Sequence, residues 1–393
     1  MKKLSLRVLT VLLSIGLTVS VFGGCADRAD HADPSAKPTA SDFAIIHETE
    51  FGGIYIETAI DDFNALGFAY GDSVDVSFSN GYRMPDLPYY NGYYTQTGEP
   101  LVVAYPGYPY VKVCINNGDD LWKIAAIDEN TTVTVSLNEQ GKYRDLQNAR
   151  DIHYTDERND YESDGIFANF RSIGVSTMKE NFVYRSASPC DNQHNRASFV
   201  NKLIEQAGVK YIVNLADNEE KIQGYLSDEN FECDYFRSLY ENGNVLALAM
   251  NMNFGSDEFR RKAARGLTAM TEHDGPFLVH CTEGKDRTGF LCMLLEALSG
   301  AEYREIVNDY MITYDNYYGI NEKDEKEKYD IIVENVLDPM IRSIVGDDSV
   351  DITAADLSGY AGDYLLSGGM SAEQISALKA AIRPAAENSG AAA

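Results

Sequence analysis

Positive charge is what this sequence has little of. Its 393 residues hold 33 Lys and Arg against 61 Asp and Glu, a net charge of −28. Three of the positives, Lys2, Lys3 and Arg7, fall in the first 24 residues, which carry no acid, so the remainder is more negative still. Phosphate backbones are gripped by Lys and Arg, so a broad nucleic-acid-binding surface is excluded. A polybasic hold on an anionic membrane is excluded with it. Cysteine is sparse, with six residues whose spacings fit neither a CxxC metal site nor a disulfide-dense framework. Trp occurs once, against 26 Tyr. Apolar residues are not lacking: at 44% they rule out wholesale disorder.

The N-terminus reads as an address. Lys2, Lys3 and Arg7 precede an apolar run of 15 residues, Val8 to Phe22, short for a membrane span. Gly23, Gly24 and Cys25 follow, small residues of the kind found at a secretory cleavage site. The sequence resembles a bacterial lipobox, in which Cys25 is acylated and becomes the mature N-terminus. Phe22 stands where the usual residue is Leu, and plain secretion is the alternative. Residues 1–24 are thus expected to be a signal peptide. Residues 25–42, rich in Asp, Pro, Ser and Ala, are expected to be a tether. The expected location is extracytoplasmic, with the membrane reached only through the N-terminal lipid. Without Cys25 five cysteines remain; Cys114, Cys190, Cys233 and Cys292 read as small buried hydrophobes.

Residues 43–150 alternate apolar and polar positions, as in Ser73–Phe78, Val111–Ile115 and Thr131–Leu137, between turn pairs such as Asn80-Gly81 and Asn117-Gly118. Period two between turn signals predicts antiparallel strands, here a small all-β barrel or sandwich. Tyr89-Tyr90-Asn-Gly-Tyr93-Tyr94 reads as an aromatic-rich turn. From about residue 167 the pattern changes. Strands are expected at 209–215, 245–249 and 276–279. Helices are expected at 197–207, 259–272, 288–298, 330–345 and 371–382. Strands alternating with helices predict an α/β fold with a mostly parallel sheet flanked by helices, over residues 165–383.

Between the strand at 276–279 and the next helix the chain reads His280-Cys281-Thr282-Glu283-Gly284-Lys285-Asp286-Arg287-Thr288-Gly289. A strand–loop–helix of this kind aims backbone N–H groups at one point and so binds anions. Gly284 permits the tight path. Arg287 adds a planar fork of donors matched to two phosphate oxygens. Cys281 at the mouth of the loop stands in a field that favours thiolate, the nucleophilic form. A Walker A loop is excluded because Asp286, not Ser or Thr, follows Lys285. The acids at Asp160, Glu162 and Asp164 imitate part of a calcium loop, but Arg171 occupies the place of its bidentate Glu.

These residues resemble the bacterial tyrosine and dual-specificity phosphatases with an HCxxGKDRTG loop, within the cysteine-dependent phosphatase superfamily. Asn169-Phe170-Arg171, Tyr184-Arg185-Ser186 and Asp309-Tyr310-Met311 fit the same group. The likeness covers about residues 165–383 and leaves out the β-rich part. Where the group has Asp-Leu-Arg after its second strand, this chain has Asn214-Leu215-Ala216. The resemblance implies a phosphocysteine intermediate, no metal and no cofactor. Its substrates would be phosphotyrosine, phosphoserine or phosphothreonine proteins, or lipid and inositol phosphates.

Roles follow from the chemistry such a site requires. Cys281 is the expected nucleophile. Arg287 and the phosphate-binding segment Thr282, Glu283, Gly284 and Lys285 are expected to hold the phosphoryl oxygens. Thr288 is a candidate donor to the Cys281 sulfur, with helix capping as the alternative. His280 is expected to order the loop. The leaving oxygen needs a proton: Asp286 is the first candidate for its donor, with Asp257 and Asp217 as the others. Three functions compete: an anchored phosphatase, a phosphatase of inositol polyphosphates or small phosphate esters, and an inactive domain that binds phosphorylated ligands.

Overall fold

The computed structural model describes residues 37–384, residue 229 excepted. The expected signal peptide, Cys25 and most of the expected tether lie outside the described residues. The alternating N-terminal sequence builds eight strands: Thr39–Phe43 (β1), Ile45–His47 (β2), Ile54–Ile56 (β3), Ser73–Phe78 (β4), Arg83–Tyr90 (β5), Pro100–Val103 (β6), Val111–Ile115 (β7) and Val133–Glu139 (β8). They pair in the order β1-β8-β4-β5-β6-β7-β3-β2. Strand β5 changes partner along its length. Its residues from Arg83 to Pro88 run antiparallel to β4, while Tyr89 and Tyr90 run parallel to Val102 and Val103 of β6. The register against β4 shifts between Val74 and Val76, and Asp86 takes φ of 59°; such a bulge bends a strand. Strands β1 and β2 end the pairing order, yet only Ala44 separates them in sequence. Neighbouring Cα atoms lie about 3.8 Å apart, so the sheet rolls until its two edges adjoin. Val74, Val76, Val102, Val113, Val135, Phe63 and Tyr89 fill the inside.

Two details depart from the sequence reading. Strand β1 begins at Thr39, inside the stretch 25–42 expected as tether; Ala40 is buried and pairs with Val135. Tyr89 and Tyr90, expected in a turn, end β5 and are buried. Pro85 and Pro88 disguise that strand, because Pro donates nothing to a ladder and is confined to bulges and strand margins.

The second sheet comprises Arg171–Ser172 (β9), Val183–Ser186 (β10), Tyr211–Asn214 (β11), Val245–Ala247 (β12) and Phe277–His280 (β13). Its order is β12-β11-β13-β10-β9, parallel throughout except for the edge strand β9. The helix Asp257–Glu272 starts at Ser256, whose Oγ accepts from the Phe259 N–H at 3.1 Å. The helix Asp286–Ser299 is apolar on all sides and buried from Thr288 to Ser299, as a central helix must be. Gly300, with φ of 94°, ends it. The single helix expected at 330–345 is in fact Lys326–Ile332, a π-helical turn Val333–Leu337, and Asp338–Val345. Pro339 lacks the N–H that a regular helix would donate to the Asn335 carbonyl. That carbonyl instead accepts from Gln96 Nε2 of the β unit at 2.9 Å.

This bond is one of the ties between the sheets. The short helix Arg144–Arg150 packs on Lys326–Ile332, and its Gln147 Nε2 donates to Asn91 Oδ1 at 2.7 Å. The sheets have separate cores within one compact unit running from Pro38.

Candidate active site

The parallel strands β10, β11 and β13 end together, with His280 opposite Ser186 and Asn214. Ligands of parallel sheets gather at this edge. Cys281 is the first residue beyond it and is 3% exposed. The loop turns back at Gly284, where φ is 72° and an added Cβ would lie 2.2 Å from the Ser186 carbonyl oxygen. No side chain fits there.

The loop is held from behind by its carbonyls. His280 Nδ1 donates to Cys281 O at 3.1 Å, and the Ser188 N–H donates to Thr282 O at 3.0 Å. Tyr317 Oη donates to Glu283 O at 2.8 Å. Gly284 O accepts from Arg185 Nη2 at 3.1 Å and Asn169 Nδ2 at 3.2 Å. In a planar trans peptide the C=O and the following N–H point in opposite directions. Tying back four successive carbonyls therefore turns the N–H groups of Thr282, Glu283, Gly284 and Lys285 toward the open side. Among the described residues none of those four amides donates to another group of the chain. The first N–H groups of the helix Asp286–Ser299 continue the row, because a helix's first turn has no internal acceptors for them.

Arg287 is pinned at both prongs. Nη1 donates to Met250 O at 3.2 Å, and Nη2 donates to Thr282 Oγ1 at 3.3 Å. Lys285 is engaged elsewhere. Its Nζ lies 3.2 Å from Glu283 Oε2 and 4.0 Å from Asp286 Oδ2, and donates to Tyr318 Oη at 3.2 Å. Burial opposes its charge, but Asp286 and Glu283 prevail and hold the ammonium well above its ordinary range. Burial likewise opposes the Glu283 charge, yet Lys285 and the Tyr154 hydroxyl, 2.8 Å from Oε1, keep that carboxyl below its usual value. His280 is fully buried, and burial pushes it down to about 4 against the pull of Asp217. It is therefore neutral, and its Nδ1–H orders the loop.

The three carboxylates proposed as proton donors sit apart. Asp286 lines an open cleft of about 480 Å³ that Cys281 does not line, and Tyr310 Oη lies 3.5 Å from its Oδ1. Asp257 points outward at the start of its helix, its side chain 83% exposed and 3.2 Å from Arg260. Asp217 is buried and accepts from Asn214 Nδ2 at 3.1 Å and Tyr225 Oη at 3.3 Å. Asn214, in place of the family's Asp, thus fixes this carboxylate. Thr288 differs from expectation. Its Oγ1 is buried and bonds neither to the Cys281 sulfur nor to a helix-terminal N–H. It is the third residue of its helix and is fully buried.

Behind the loop lies a buried ionic cluster. Arg185 Nη1 bonds Asp309 Oδ2 at 2.7 Å, and Arg171 Nη2 bonds Asp309 O at 2.8 Å. Burial opposes the Asp309 charge, but the two guanidiniums hold its carboxyl low. Glu296, equally buried, is pushed well above the carboxylate range by burial and by Asp309. Arg185 thus carries charge from the core to the Gly284 carbonyl.

A sequence model described as the tyrosine phosphatase family matches residues 145–383, more than half of the chain. This chain belongs to that family. A tyrosine-protein phosphatase of Nostoc commune is 44% identical over 59 residues, 15% of this chain and 20% of the relative. The match thus spans only a fifth of the relative's length. Among solved structures, the core catalytic domain of the PP-IP phosphatase SIW14 from S. cerevisiae, in complex with citrate, is 20% identical. It has a TM-score of 0.26 over 44% of this chain and 89% of its own. P. aeruginosa TpbA in complex with pTyr is 18% identical, with a TM-score of 0.24 over 41% and 84%. Within the family region, Asn169, Arg185 and Asp309 stand in the stretches that carried the resemblance. The sequence assigned them no role. Tyr154 and Tyr317, single tyrosines among 26, gave no signal at all.

Proposed function

We propose that this protein is a cysteine-dependent phosphatase that hydrolyses phosphate monoesters, phosphotyrosine foremost, outside the cytoplasmic membrane. The observation that carries the reading is the row of outward amides between Cys281 and the pinned Arg287. Cys281 Sγ attacks phosphorus as thiolate, and the P–O bond to the leaving group breaks. The leaving oxygen takes a proton from Asp286, the one candidate within the loop itself. Water then attacks the phosphocysteine, gives a proton back to Asp286 and releases phosphate, while the thiolate is regenerated. The amides and Arg287 receive the charge on the phosphoryl oxygens as it develops. Arg287→Lys retains charge but loses the two-pronged geometry.

The test is turnover of p-nitrophenyl phosphate, phosphopeptides, phosphoinositides and inositol polyphosphates, with EDTA present and with vanadate. Mass spectrometry of acid-quenched enzyme should find one phosphoryl group on Cys281. Loss of turnover with EDTA, or full activity in Cys281→Ser, overturns the reading. Binding of phosphorylated ligands without turnover would favour an inactive receptor. A preference for inositol polyphosphates would move the substrate class. Lipid anchoring at Cys25 is part of the proposal; mass spectrometry of the native N-terminus decides between an acylated Cys25 and plain secretion.

A further inference from the structure

The cleft at Asp286 has two walls of different origin. One comes from the family region: Asp286, the segment Met252–Gly255 and the turn around Asn335. The other comes from the β unit and the helix that follows it: Tyr93, Gln96, Asn117 and Arg150. Gln96 fixes the second wall to the first through the Asn335 carbonyl that Pro339 leaves free. The cleft begins at Asp286 and does not include Cys281. It is therefore placed for what surrounds the scissile phosphate.

Resting on the phosphatase reading above, we propose that this cleft binds the residues flanking the phosphotyrosine of a peptide substrate, with Arg150 receiving an acidic side chain. Arg150 is half-buried at the end of its helix, its guanidinium 5.2 Å from the centre of the Tyr94 ring. Its field reaches Tyr310 and Tyr314 on the helix beside Asp286. Among the described residues it pairs with no carboxylate, in a chain whose net charge is −28. In so acidic a chain, a half-buried guanidinium that lines a cleft and has no carboxylate partner is available to an acid from outside the chain.

The rest of the lining suits a peptide. The side-chain amide of Asn253 bonds to no group among the described residues, and the Gln96 amide keeps its oxygen after donating to Asn335. Such amides match backbone N–H and C=O groups. Met252, Phe254 and Met340 supply apolar surface between them. A polyphosphorylated small molecule would require several cations. Here Lys285 is already engaged by Glu283 and Asp286, and Asp286 itself contributes negative charge to the cleft.

The experiment compares the full mature chain with Arg150→Ala and Arg150→Lys. The substrates are a phosphotyrosyl peptide with Glu beside the phosphotyrosine, the same peptide with Gln, p-nitrophenyl phosphate and an inositol polyphosphate. The wild type should favour the Glu peptide over the Gln peptide by about tenfold in kcat/KM, chiefly through KM, and less at high salt. Arg150→Ala should erase that ratio, and Arg150→Lys should retain part of it. Equal use of the two peptides by the wild type, or a ratio that survives in Arg150→Ala, overturns the inference. Preference for the inositol polyphosphate over both peptides overturns it as well. Turnover of p-nitrophenyl phosphate without discrimination between peptides fails this inference alone. Absence of any turnover fails the phosphatase reading and this inference with it.

Discussion

The two sheets of this chain treat their loops in opposite ways. In the rolled β sheet, β4 and β5 are joined by a tight turn whose backbone groups bond back into the hairpin. At Asn80-Gly81 the Gly81 N–H returns to Phe78 O, and the Phe78 N–H reaches Tyr82 O. In the parallel sheet β10, β11 and β13 all end on one edge, and the chain must leave it before turning into a helix. There the loop carbonyls are drawn backward by His280, Ser188, Tyr317, Arg185 and Asn169, and the amides remain for an incoming anion. Both regions need glycines at positive φ. Only one of them converts that need into a place where chemistry can occur.

That contrast is open to direct tests. The largest effect belongs to the nucleophile: Cys281→Ser should lower turnover of an aryl phosphate about 10⁴-fold or more while the fold persists, read by steady-state kinetics and circular dichroism. Next comes a matched pair of glycines. Gly284→Ala meets the Ser186 carbonyl at 2.2 Å, whereas Gly81, with φ of 94°, has nothing within 4 Å. Gly284→Ala should cost at least about 100-fold in kcat/KM and about 3 kcal/mol in stability. Gly81→Ala should cost about 1 kcal/mol of backbone strain, with kcat/KM unchanged. Equal losses in the two variants would erase the distinction between a loop that binds and a turn that connects.

Asp286→Asn sharpens the comparison within the loop itself. It should slow phenyl phosphate by about 100-fold and p-nitrophenyl phosphate much less, because a good leaving group needs little protonation. Equal slowing of both would remove Asp286 as the proton donor. The smallest effect on turnover is one of pH, which acts on stability. His280 is held down to about 4 in the fold and lies near 6.5 when unfolded. The unfolded chain therefore takes up a proton that the folded chain refuses. The stability from this group is full above about 6.5 and is lost as pH falls toward about 4, with a slope of up to about 1.4 kcal/mol per pH unit. Urea midpoints at descending pH should show that slope, and His280→Gln should flatten it.

The loop was legible because its residues are contiguous, and because each has a chemical reason to stand where it does. The alternation of strands and helices was legible for the same local reason: Val111–Ile115 and Ser73–Phe78 appear with the expected bounds. What holds the loop was hidden by distance. Asn169 and Arg185 reach Gly284 across 115 and 99 positions of sequence. Tyr154 reaches Glu283 across 129. No local pattern singles them out. Thr288 and Asp257 differ from expectation in their surroundings: the Thr288 hydroxyl is buried without a partner, and the Asp257 carboxyl faces solvent. Strand β5 was missed because its prolines argue against a strand, although a bulge accommodates them.

The rolled sheet has a mechanical consequence. Any pull on the chain's N-terminus enters the described fold at Thr39, the start of β1, a strand laddered on one side only, to β8. An edge strand of five residues has one ladder to break rather than two. Peeling it away breaks its ladder to β8, while Cys281 and Arg287 follow β13 in the other sheet. The first strand is thus the segment that a tug from the N-terminal side meets before any other part of the described fold.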